Sequence, residues 1–161
     1  MKNKSQKEIF INGEGDAWLN RNRRNNSIHS DNMHLNKNVL EHLISLPLPN
    51  SNKIKIIEVG CGDGSLLSHL KERRDWKLYG IDPSEKAIHI ARELGIEGSV
   101  GTADKLPFDE NTFDLILFGF CLYLCDTNDL FKIAQEVQRT SKKNSWIIIV
   151  DFWSPEFKKV P

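Results

Sequence analysis

Short apolar runs alternate along the chain with segments in which apolar residues recur every three to four positions. The apolar runs predict five strands, at 54–59, 77–81, 98–101, 113–118 and 146–152. The amphipathic segments predict helices near 36–46, 65–73, 84–94 and 129–141. The last two strands are almost wholly apolar, as expected when both faces of a sheet are covered. Strands that alternate with helices predict an α/β fold with a doubly wound, mostly parallel sheet.

Residues 1–35 are polar and irregular, and we expect them to form an N-terminal segment that precedes a domain over 36–161. One stretch of this segment, 15–19, contains Trp18 and Leu19, which need an apolar surface to cover them. Two interpretations are open. The stretch forms a short helix that docks on top of the domain as a lid, or it belongs to a frayed tail whose Trp18 caps the edge of the core.

A glycine-rich turn follows the first predicted strand. Residues 58–64 have the sequence Glu-Val-Gly-Cys-Gly-Asp-Gly, and a helix is predicted to begin near Ser65. Glycines at such a turn let the backbone approach a ligand closely, because a Cβ would occupy the ligand's space. The carboxylate of Glu58 is a poor neighbour for a pyrophosphate and a good one for an ammonium or sulfonium group. Ser65 also replaces the third glycine of the dinucleotide fingerprint, which argues against a nicotinamide-binding domain.

A second acid stands at the end of the second predicted strand. Asp82 lies about 20 residues past the glycine turn, where a carboxylate is placed to accept hydrogen bonds from both hydroxyls of a ribose. The alternative is a helix N-cap, because Pro83, Ser84 and Glu85 follow and proline favours the first turn of a helix. We favour the ribose role.

These residues together resemble the class I S-adenosylmethionine-dependent methyltransferases, in particular the type 11-like methyltransferase domain. Three further segments resemble family motifs in the same order. Residues 101–108 are similar to the family's adenine-side loop, 113–120 to its fourth strand and substrate-facing turn, and 146–152 to its fifth strand. The resemblance covers roughly residues 35–153. It implies a Rossmann-like fold, S-adenosyl-L-methionine as the cofactor and methyl transfer as the reaction.

The resemblance also implies a cofactor site at the carboxyl ends of the strands. In that site Glu58 would lie near the α-ammonium, Asp82 near the ribose and Asp104 near the adenine amino group. Ile81 and Leu106 would enclose the adenine ring. The full set of implied cofactor residues is Glu58, Gly60, Cys61, Gly62, Gly64, Ile81, Asp82, Ala103, Asp104, Lys105, Leu106, Phe118 and Gly119.

Tyr123 is the one candidate for a catalytic residue, because it lies shortly past the fourth strand, where the family often places a residue facing the methyl acceptor. Its phenol would orient or deprotonate an acceptor, or it is a packed aromatic between Leu122 and Leu124. Asp126 is expected to be an N-cap for the following helix. No cluster of residues has metal-ligand spacing, so we expect no metal site.

Composition narrows the remaining classes of function. The 161-residue chain suits a single cofactor-binding domain, and its formal net charge of zero argues against nucleic-acid binding. No apolar run approaches the length of a membrane span, and no secretory signal is recognisable at the N-terminus. The three cysteines have no framework spacing, which favours reduced thiols in a cytoplasmic protein.

The expected activity is therefore methylation of a small molecule. Residues 14–18 and 119–126 resemble methyltransferases found with surface-polysaccharide genes, which favours a sugar or nucleotide-linked precursor as the acceptor. Family members usually continue with two more strands after the fifth, and these are absent from the sequence up to Pro161. Their absence motivates the alternative of a non-catalytic module that binds the cofactor or a partner. It also leaves the edge of the fifth strand exposed, which invites a homodimer.

Overall fold

A five-stranded parallel sheet forms the centre of the computed structural model, which describes residues 5–26 and 31–151, with the side chains of 22–36 left undescribed. The strands lie in the order β3-β2-β1-β4-β5, and all four neighbouring pairs are parallel. Their bounds are Lys55–Val59 (β1), Lys77–Asp82 (β2), Glu97–Val100 (β3), Phe113–Gly119 (β4) and Ser141–Val150 (β5). The doubly wound α/β fold predicted from the sequence is confirmed.

Six α-helices surround the sheet in the described residues. They are Gln6–Ile9 (α1), Gly15–Asn26 (α2), Asp31–Ser45 (α3), Ser65–Arg73 (α4), Glu85–Glu93 (α5) and Leu130–Thr140 (α6). A π-helical turn at Phe10–Glu14 joins the first two, and 3₁₀ turns cover Leu122–Leu124 and Thr127–Asp129. The predicted helix near 36–46 begins earlier than expected, at Asp31.

The fifth strand differs most from its predicted bounds. It begins at Ser141 instead of 146, because Phe113 pairs with Ser141 and Leu115 already pairs with Trp146. The extra residues of β5 form a bulge that contains Asn144, whose φ of 65° lies in the left-handed region. Residues 141–145 are all polar, so the pattern of apolar residues did not predict them as part of the strand. The predicted end of the strand at Phe152 lies outside the described residues.

Helical turns occupy most of Gln6–Asn26, so the expectation of an irregular segment is wrong for this part of the chain, whereas the short helix considered for 15–19 is present within α2. Its helices break at Asn12 and Gly13, and the φ of 122° at Gly13 is accessible to glycine alone among common residues. Tertiary contacts outweigh the weak local propensity, since Leu19 is buried against the domain.

Two apolar clusters cover the two faces of the sheet. The first packs Leu43 of α3 and Leu67 and Leu70 of α4 against Ile56, and the second packs Ile133 and Val137 of α6 among the buried residues of the other face. Side chains of β1 alternate between the clusters, as strand geometry requires. The sheet is therefore a rigid base for the loops at its carboxyl edge.

Candidate functional site

A pocket opens at the carboxyl edge of the sheet, where β1 and β4 lie side by side although they are not consecutive along the chain. In open α/β sheets this reversal of strand order leaves a crevice in which ligands bind. The strand ends contribute Val59, Gly60, Ile81, Asp82, Gly119 and Phe120 to its lining. The loop after β3 contributes Gly101, Thr102, Ala103 and Asp104. The strands themselves are apolar, but their carboxyl ends and the loops that follow place polar groups at one edge of the sheet.

The glycine turn after β1 requires glycine at three positions. Gly60, Gly62 and Gly64 have φ values of 76°, 53° and 75°, all in the left-handed region. A Cβ on Gly60 would lie 2.5 Å from the Cβ of Cys121, and one on Gly64 would lie 3.0 Å from the Cβ of Ala91. A Cβ on Gly62 would meet no atom within 4 Å. The turn is therefore packed against the protein at its ends and open to a ligand at its middle.

Glu58 lies beneath this turn as a buried carboxylate, with 5% of its surface exposed. A Cβ on Gly119 would lie 2.8 Å from its Oε1, so the glycine of β4 makes room for the acid. Its Oε2 has no hydrogen-bond partner. Burial, followed by the negative charges of Asp82 and Asp63, raises the pKa of Glu58 to about 8. An ionised carboxylate is costly in such a place unless a cation joins it.

Asp82 connects the end of β2 to the glycine turn. Its Oδ2 accepts the N–H of Gly62 at 3.0 Å, and its Oδ1 accepts the N–H of Ser84 at 2.9 Å. The N-cap of α5 is Ser84, whose Oγ accepts the N–H of Ala87, so the alternative of Asp82 as the helix N-cap is wrong. Burial raises the pKa of Asp82, and the two backbone N–H groups oppose that rise. A carboxylate has about four acceptor positions, so two remain for a ligand.

Asp104 is paired with a residue of the N-terminal helices. Lys7 Nζ donates to its Oδ2 at 2.6 Å and also lies 3.5 Å from Asp129. Burial tends to raise the pKa of Asp104, but hydrogen bonds from Lys7 and Thr102 outweigh it and lower that pKa. Asp104 is therefore ionised at neutral pH, and its charge is compensated before any ligand binds.

The predicted cofactor residues divide into those that line the pocket and those that lie behind it. Lining residues are Gly60, Ile81, Asp82, Ala103, Asp104 and Gly119. Cys61 packs its sulfur against Gly80, and Leu106 and Phe118 are buried in the core. Lys105 is exposed, and its N–H is used in a turn with the carbonyl of Thr102. Glu58, Gly62 and Gly64 are not lining residues either, so the pocket wall contains six of the thirteen predicted cofactor residues.

Strand alternation would place the rings of Phe118 and Phe120 on one side of β4, but the alternation does not continue past Gly119. Phe120 has a φ of 53°, which is rare for an aromatic residue and turns the chain out of the strand. Phe120 lines the pocket, whereas Phe118 belongs to the core cluster of α6. The N–H of Phe120 donates to the carbonyl of Val150 at 2.8 Å, which stabilises this conformation.

Tyr123, the predicted catalytic residue, lies outside the pocket lining and is 51% exposed. Burial of part of its ring, followed by the charge of Asp151, raises the pKa of its phenol. The neighbouring thiols do line the pocket, and Cys121 Sγ donates to the carbonyl of Val59 at 3.1 Å. Burial raises the pKa of Cys125 to about 11 and that of Cys121 further, so both thiols stay protonated.

Five residues of the N-terminal helices, Gln6, Lys7, Phe10, Gly15 and Trp18, line the pocket as well. We call residues 6–21 the N-terminal strap, because they cross the pocket from one side to the other. Only Trp18 carried a signal in the sequence, as an apolar residue in polar surroundings. Lys7 carried none, because an isolated lysine in a polar segment is ordinarily solvated.

Asp126 attaches one end of the strap. Its two carboxylate oxygens accept the N–H groups of Gln6 and Lys7 at 2.9 and 3.1 Å. The expectation that Asp126 would cap the helix that follows it is wrong, because it makes no side-chain bond to the turn that it precedes. Asp126 instead accepts the unpaired N–H groups at the start of α1, which tertiary folding brings next to it.

The other end of the strap is attached to the start of α5. Ser84 Oγ donates to Asp16 Oδ1 at 2.5 Å, and Lys86 Nζ lies 3.6 Å from Asp16 Oδ2. The bond from Ser84 is the main cause of a lowered pKa at Asp16. The break at Asn12 and Gly13 lies between the two attachments.

Residues 5–26 and 31–151 contain no helix that is both long and apolar enough to cross a bilayer. In the same ranges no three His, Cys, Asp or Glu side chains are grouped so that they could hold a metal ion.

Comparison with known proteins finds relatives of this chain. A family model described as a methyltransferase domain matches residues 57–149, more than half of the chain. Ajmaline N-methyltransferase of Rauvolfia serpentina is 29% identical over 110 residues, which are 63% of this chain and 37% of that protein. Demethylmenaquinone methyltransferase of Thermotoga maritima is 28% identical over 113 residues, which are 67% of this chain and 48% of that protein.

A solved structure of a methyltransferase is also similar to this chain. The S-adenosylmethionine-dependent methyltransferase of Thermotoga maritima, described as a possible histamine N-methyltransferase, is 27% identical with a TM-score of 0.61. The alignment covers 88% of this chain and 59% of that one. The chain covers less than half the length of each of the two curated relatives named above.

Replacing Glu58 with Gln tests the cost of the buried charge. A raised folded-state pKa means that the acid's contribution to stability is present below about pH 4.5 and is lost as pH rises towards 8. The Gln variant has no such loss. Between pH 5 and 8 the free energy of unfolding of the variant should rise relative to the parent's by up to roughly 1.4 kcal/mol per pH unit. The measurement is the melting temperature of both proteins across this pH range. Glu72→Gln, at an exposed acid of α4, is the control. Parallel pH profiles for Glu58→Gln and the parent would contradict the assignment.

Proposed function

The chain belongs to the methyltransferase domain family, and from this premise we propose that it transfers a methyl group from S-adenosyl-L-methionine to a small-molecule acceptor. The family match supports S-adenosyl-L-methionine as the cofactor. The chain spans about half or less of its curated relatives, so its activity rests on the site geometry as well as on the family.

One observation carries the proposal, the buried carboxylate of Glu58 with its unpartnered Oε2. The methionine part of the cofactor has an α-ammonium group, which supplies both the positive charge and the hydrogen-bond donors that this carboxylate lacks. A Cβ on Gly119, which lines the pocket, would lie 2.8 Å from Glu58 Oε1, so the carboxylate lies directly behind that part of the wall, and an ammonium in the pocket can approach it directly or through one water. A pyrophosphate at the same place would add negative charge to an acid that is already unfavourable.

The other cofactor roles follow from the pocket wall. Asp82 has acceptor positions left for the two ribose hydroxyls while it holds Gly62 and Ser84. Ala103 and Asp104 border the place proposed for adenine, and the second oxygen of Asp104 can accept from the adenine amino group. Ile81 forms the apolar wall against which the ring would stack, with Leu106 buried behind it.

The proposed reaction is a direct displacement at the methyl group. The acceptor's lone pair forms a bond to the methyl carbon, and the carbon–sulfur bond breaks, so that the sulfonium leaves as the neutral thioether S-adenosylhomocysteine. The donor is already activated, and holding both reactants in line can supply much of the acceleration. Gly119 and Phe120 end β4 beside the pocket, on the side proposed for the sulfonium.

A general base is needed only if the acceptor is a hydroxyl or a protonated amine. Tyr123 lies outside the pocket, between the lining residues Cys121 and Leu124, and its raised pKa disfavours the phenolate at neutral pH, so we propose that its O–H orients an acceptor that extends beyond the pocket. The named substrates of the relatives, ajmaline and demethylmenaquinone, are small organic molecules and support that class of acceptor. A sugar or nucleotide-linked acceptor is a narrower proposal. We also propose a cytoplasmic location, because the three cysteines are free thiols.

Calorimetry with S-adenosylhomocysteine tests the cofactor, and a screen of metabolite extracts with methyl-labelled donor tests the transfer. We expect saturable binding and at least one labelled small molecule. Binding without any labelled product would favour the alternative of a non-catalytic cofactor-binding module. Absence of binding at millimolar ligand, with the protein folded, would exclude the proposal. A parallel titration with NADH covers the nicotinamide-binding alternative.

Asp82→Ala should weaken S-adenosylhomocysteine by at least tenfold. Hydrogen bonds to a charged group contribute roughly 1.5–3 kcal/mol, and 1.4 kcal/mol corresponds to a factor of ten in affinity. The same variant removes the acceptor of the Gly62 N–H, so the melting temperature should also fall, by the equivalent of about 1 kcal/mol. Calorimetry and thermal unfolding on one sample measure both effects. An early melting variant with parental affinity would show that Asp82 only supports the glycine turn.

We propose that the N-terminal strap is a lid over the bound cofactor. It is attached at Asp126 and at Ser84, and its Lys7 contacts Asp104, the carboxylate proposed for adenine. Because five strap residues line the pocket, movement of the strap would widen the exit for a bound ligand, and the break at Gly13 is the place where its two halves can separate.

Replacing Lys7 with Ala tests the lid. Loss of its ion pairs with Asp104 and Asp129 should loosen the strap, so S-adenosylhomocysteine should dissociate several times faster in stopped-flow displacement. Lys53→Ala, at an exposed lysine before β1, is the control and should dissociate as the parent does. Equal dissociation rates for all three proteins would mean that the strap is a fixed wall.

Among the described residues β5 is an outermost strand of the sheet, and its outer edge is the partner surface that we propose for a second copy of the chain. Trp146, Ile147 and Ile149 are 42%, 51% and 58% exposed along a strand that pairs with β4. Exposed apolar edges favour pairing with another chain. Sedimentation velocity that finds only monomer at high concentration would exclude this dimer.

A further inference from the structure

The loop between β3 and β4 forms the adenine side of the proposed cofactor site without regular secondary structure of its own. It runs from Gly101 to Thr112, and its first four residues line the pocket. Backbone groups of an irregular segment need partners, and the position of such a segment depends on which partners it has. The polar contacts of this loop therefore decide where its pocket-lining residues lie.

Two residues of α6 hold the loop by its backbone. Glu136 Oε2 accepts the N–H of Leu106 at 2.7 Å, and Arg139 Nη2 donates to the carbonyl of Leu106 at 2.9 Å. Arg139 Nη1 also donates to the carbonyl of Phe108 at 2.6 Å. We call Glu136 and Arg139 the α6 clamp. Both backbone polar groups of Leu106 are thus fixed by one helix.

The two clamp residues also hold each other. Arg139 Nε lies 2.8 Å from Glu136 Oε1, and Arg139 Nη2 lies 2.7 Å from Glu136 Oε2. The bond from Arg139 is the main cause of a lowered pKa at Glu136, so both residues are charged at neutral pH. A guanidinium with two parallel bonds to a carboxylate has a defined orientation, which a lysine would not give.

The clamp connects the loop to the pocket through packing. Leu106 is 3% exposed and belongs to the same apolar cluster as Ile81 and Ile133. Ile81 and Ile133 line the pocket from β2 and from α6, and Ala103 lines it from the loop. Fixing Leu106 therefore fixes the separation between the loop and the opposite wall of Ile81.

We propose that Glu136 and Arg139 are positioning residues for the adenine of the cofactor, an inference that rests on the proposed function. Neither residue lines the pocket, so both act through the backbone of Leu106 and Phe108. The clamp keeps the loop at the distance from Ile81 that an adenine ring requires, and it keeps Ala103 and Asp104 directed at the ring. A loop that is already in place needs no ordering when the ligand binds, which favours affinity.

The test is calorimetry with two ligands that share adenine. S-adenosylhomocysteine carries the amino-acid part that Glu58 would hold, and 5′-methylthioadenosine lacks it. Glu136→Ala and Arg139→Ala should weaken both ligands by about tenfold, whereas Glu58→Gln should weaken only S-adenosylhomocysteine. Glu136→Gln should recover most of the loss, because its amide oxygen can still accept the N–H of Leu106.

Two control variants separate positioning from stability. Gln135→Ala replaces an exposed side chain of the same helix that does not touch the loop, and both affinities should match the parent's. Val137→Ala removes a buried methyl pair of α6 and lowers stability without touching the loop's hydrogen bonds. Clamp variants should lose more affinity than Val137→Ala at equal melting temperature. Hydrogen exchange should also be faster at the Leu106 amide in Glu136→Ala.

The outcomes have separate meanings. Clamp variants that bind both ligands as tightly as the parent would overturn the inference and leave the proposed function in place. An affinity loss matched by Val137→Ala at the same melting temperature would also overturn it, since the clamp would then act only on stability. A parent protein that binds neither ligand would overturn the proposed function and this inference together, even with exchange at Leu106 changed as expected.

Discussion

A carboxylate buried without a partner is the constraint on which the rest of the site depends. Glu58 lies in the central strand of the sheet, with its Oε2 unsatisfied and its pKa raised to about 8 by burial and neighbouring acids. The fold accommodates this acid at a cost, because Gly119 must be a glycine to make room for it. The glycine turn above it keeps an opening at Gly62. Such an arrangement is stable only at the expense of folding free energy that a cationic ligand would restore.

The three acids of the carboxyl edge are compensated to different degrees. Asp104 is paired with Lys7, and Asp82 accepts two backbone N–H groups, while Glu58 lacks a partner at Oε2. The acid behind the pocket wall at Gly119 therefore lacks a cationic partner, whereas Asp104 at the other end of the pocket already has one in Lys7. S-adenosyl-L-methionine has its ammonium at one end and a neutral adenine at the other, which matches this distribution.

Local patterns were enough to predict the sheet, its connections and the acids of the carboxyl edge. Apolar runs and amphipathic periods depend on neighbours in the chain, and Glu58 and Asp82 were recognisable from their spacing to the glycines. The strap attachments and the α6 clamp were not predictable, because Asp126 meets Gln6 and Arg139 meets Leu106 across long sequence separations. A charged residue on a helix gives no sign of whether it contacts solvent or a distant backbone. The left-handed conformation of Phe120 likewise has no local signal.

The most direct test of this account is the pKa of Glu58 itself, measured by carbon-13 NMR of the side-chain carboxyl with and without S-adenosylhomocysteine. The account predicts a titration near pH 8 in the ligand-free protein, because burial and like charges oppose ionisation. It predicts a fall below about 5 in the complex, because an adjacent ammonium favours the charged form. A pKa that is unchanged by a saturating ligand would contradict the central claim.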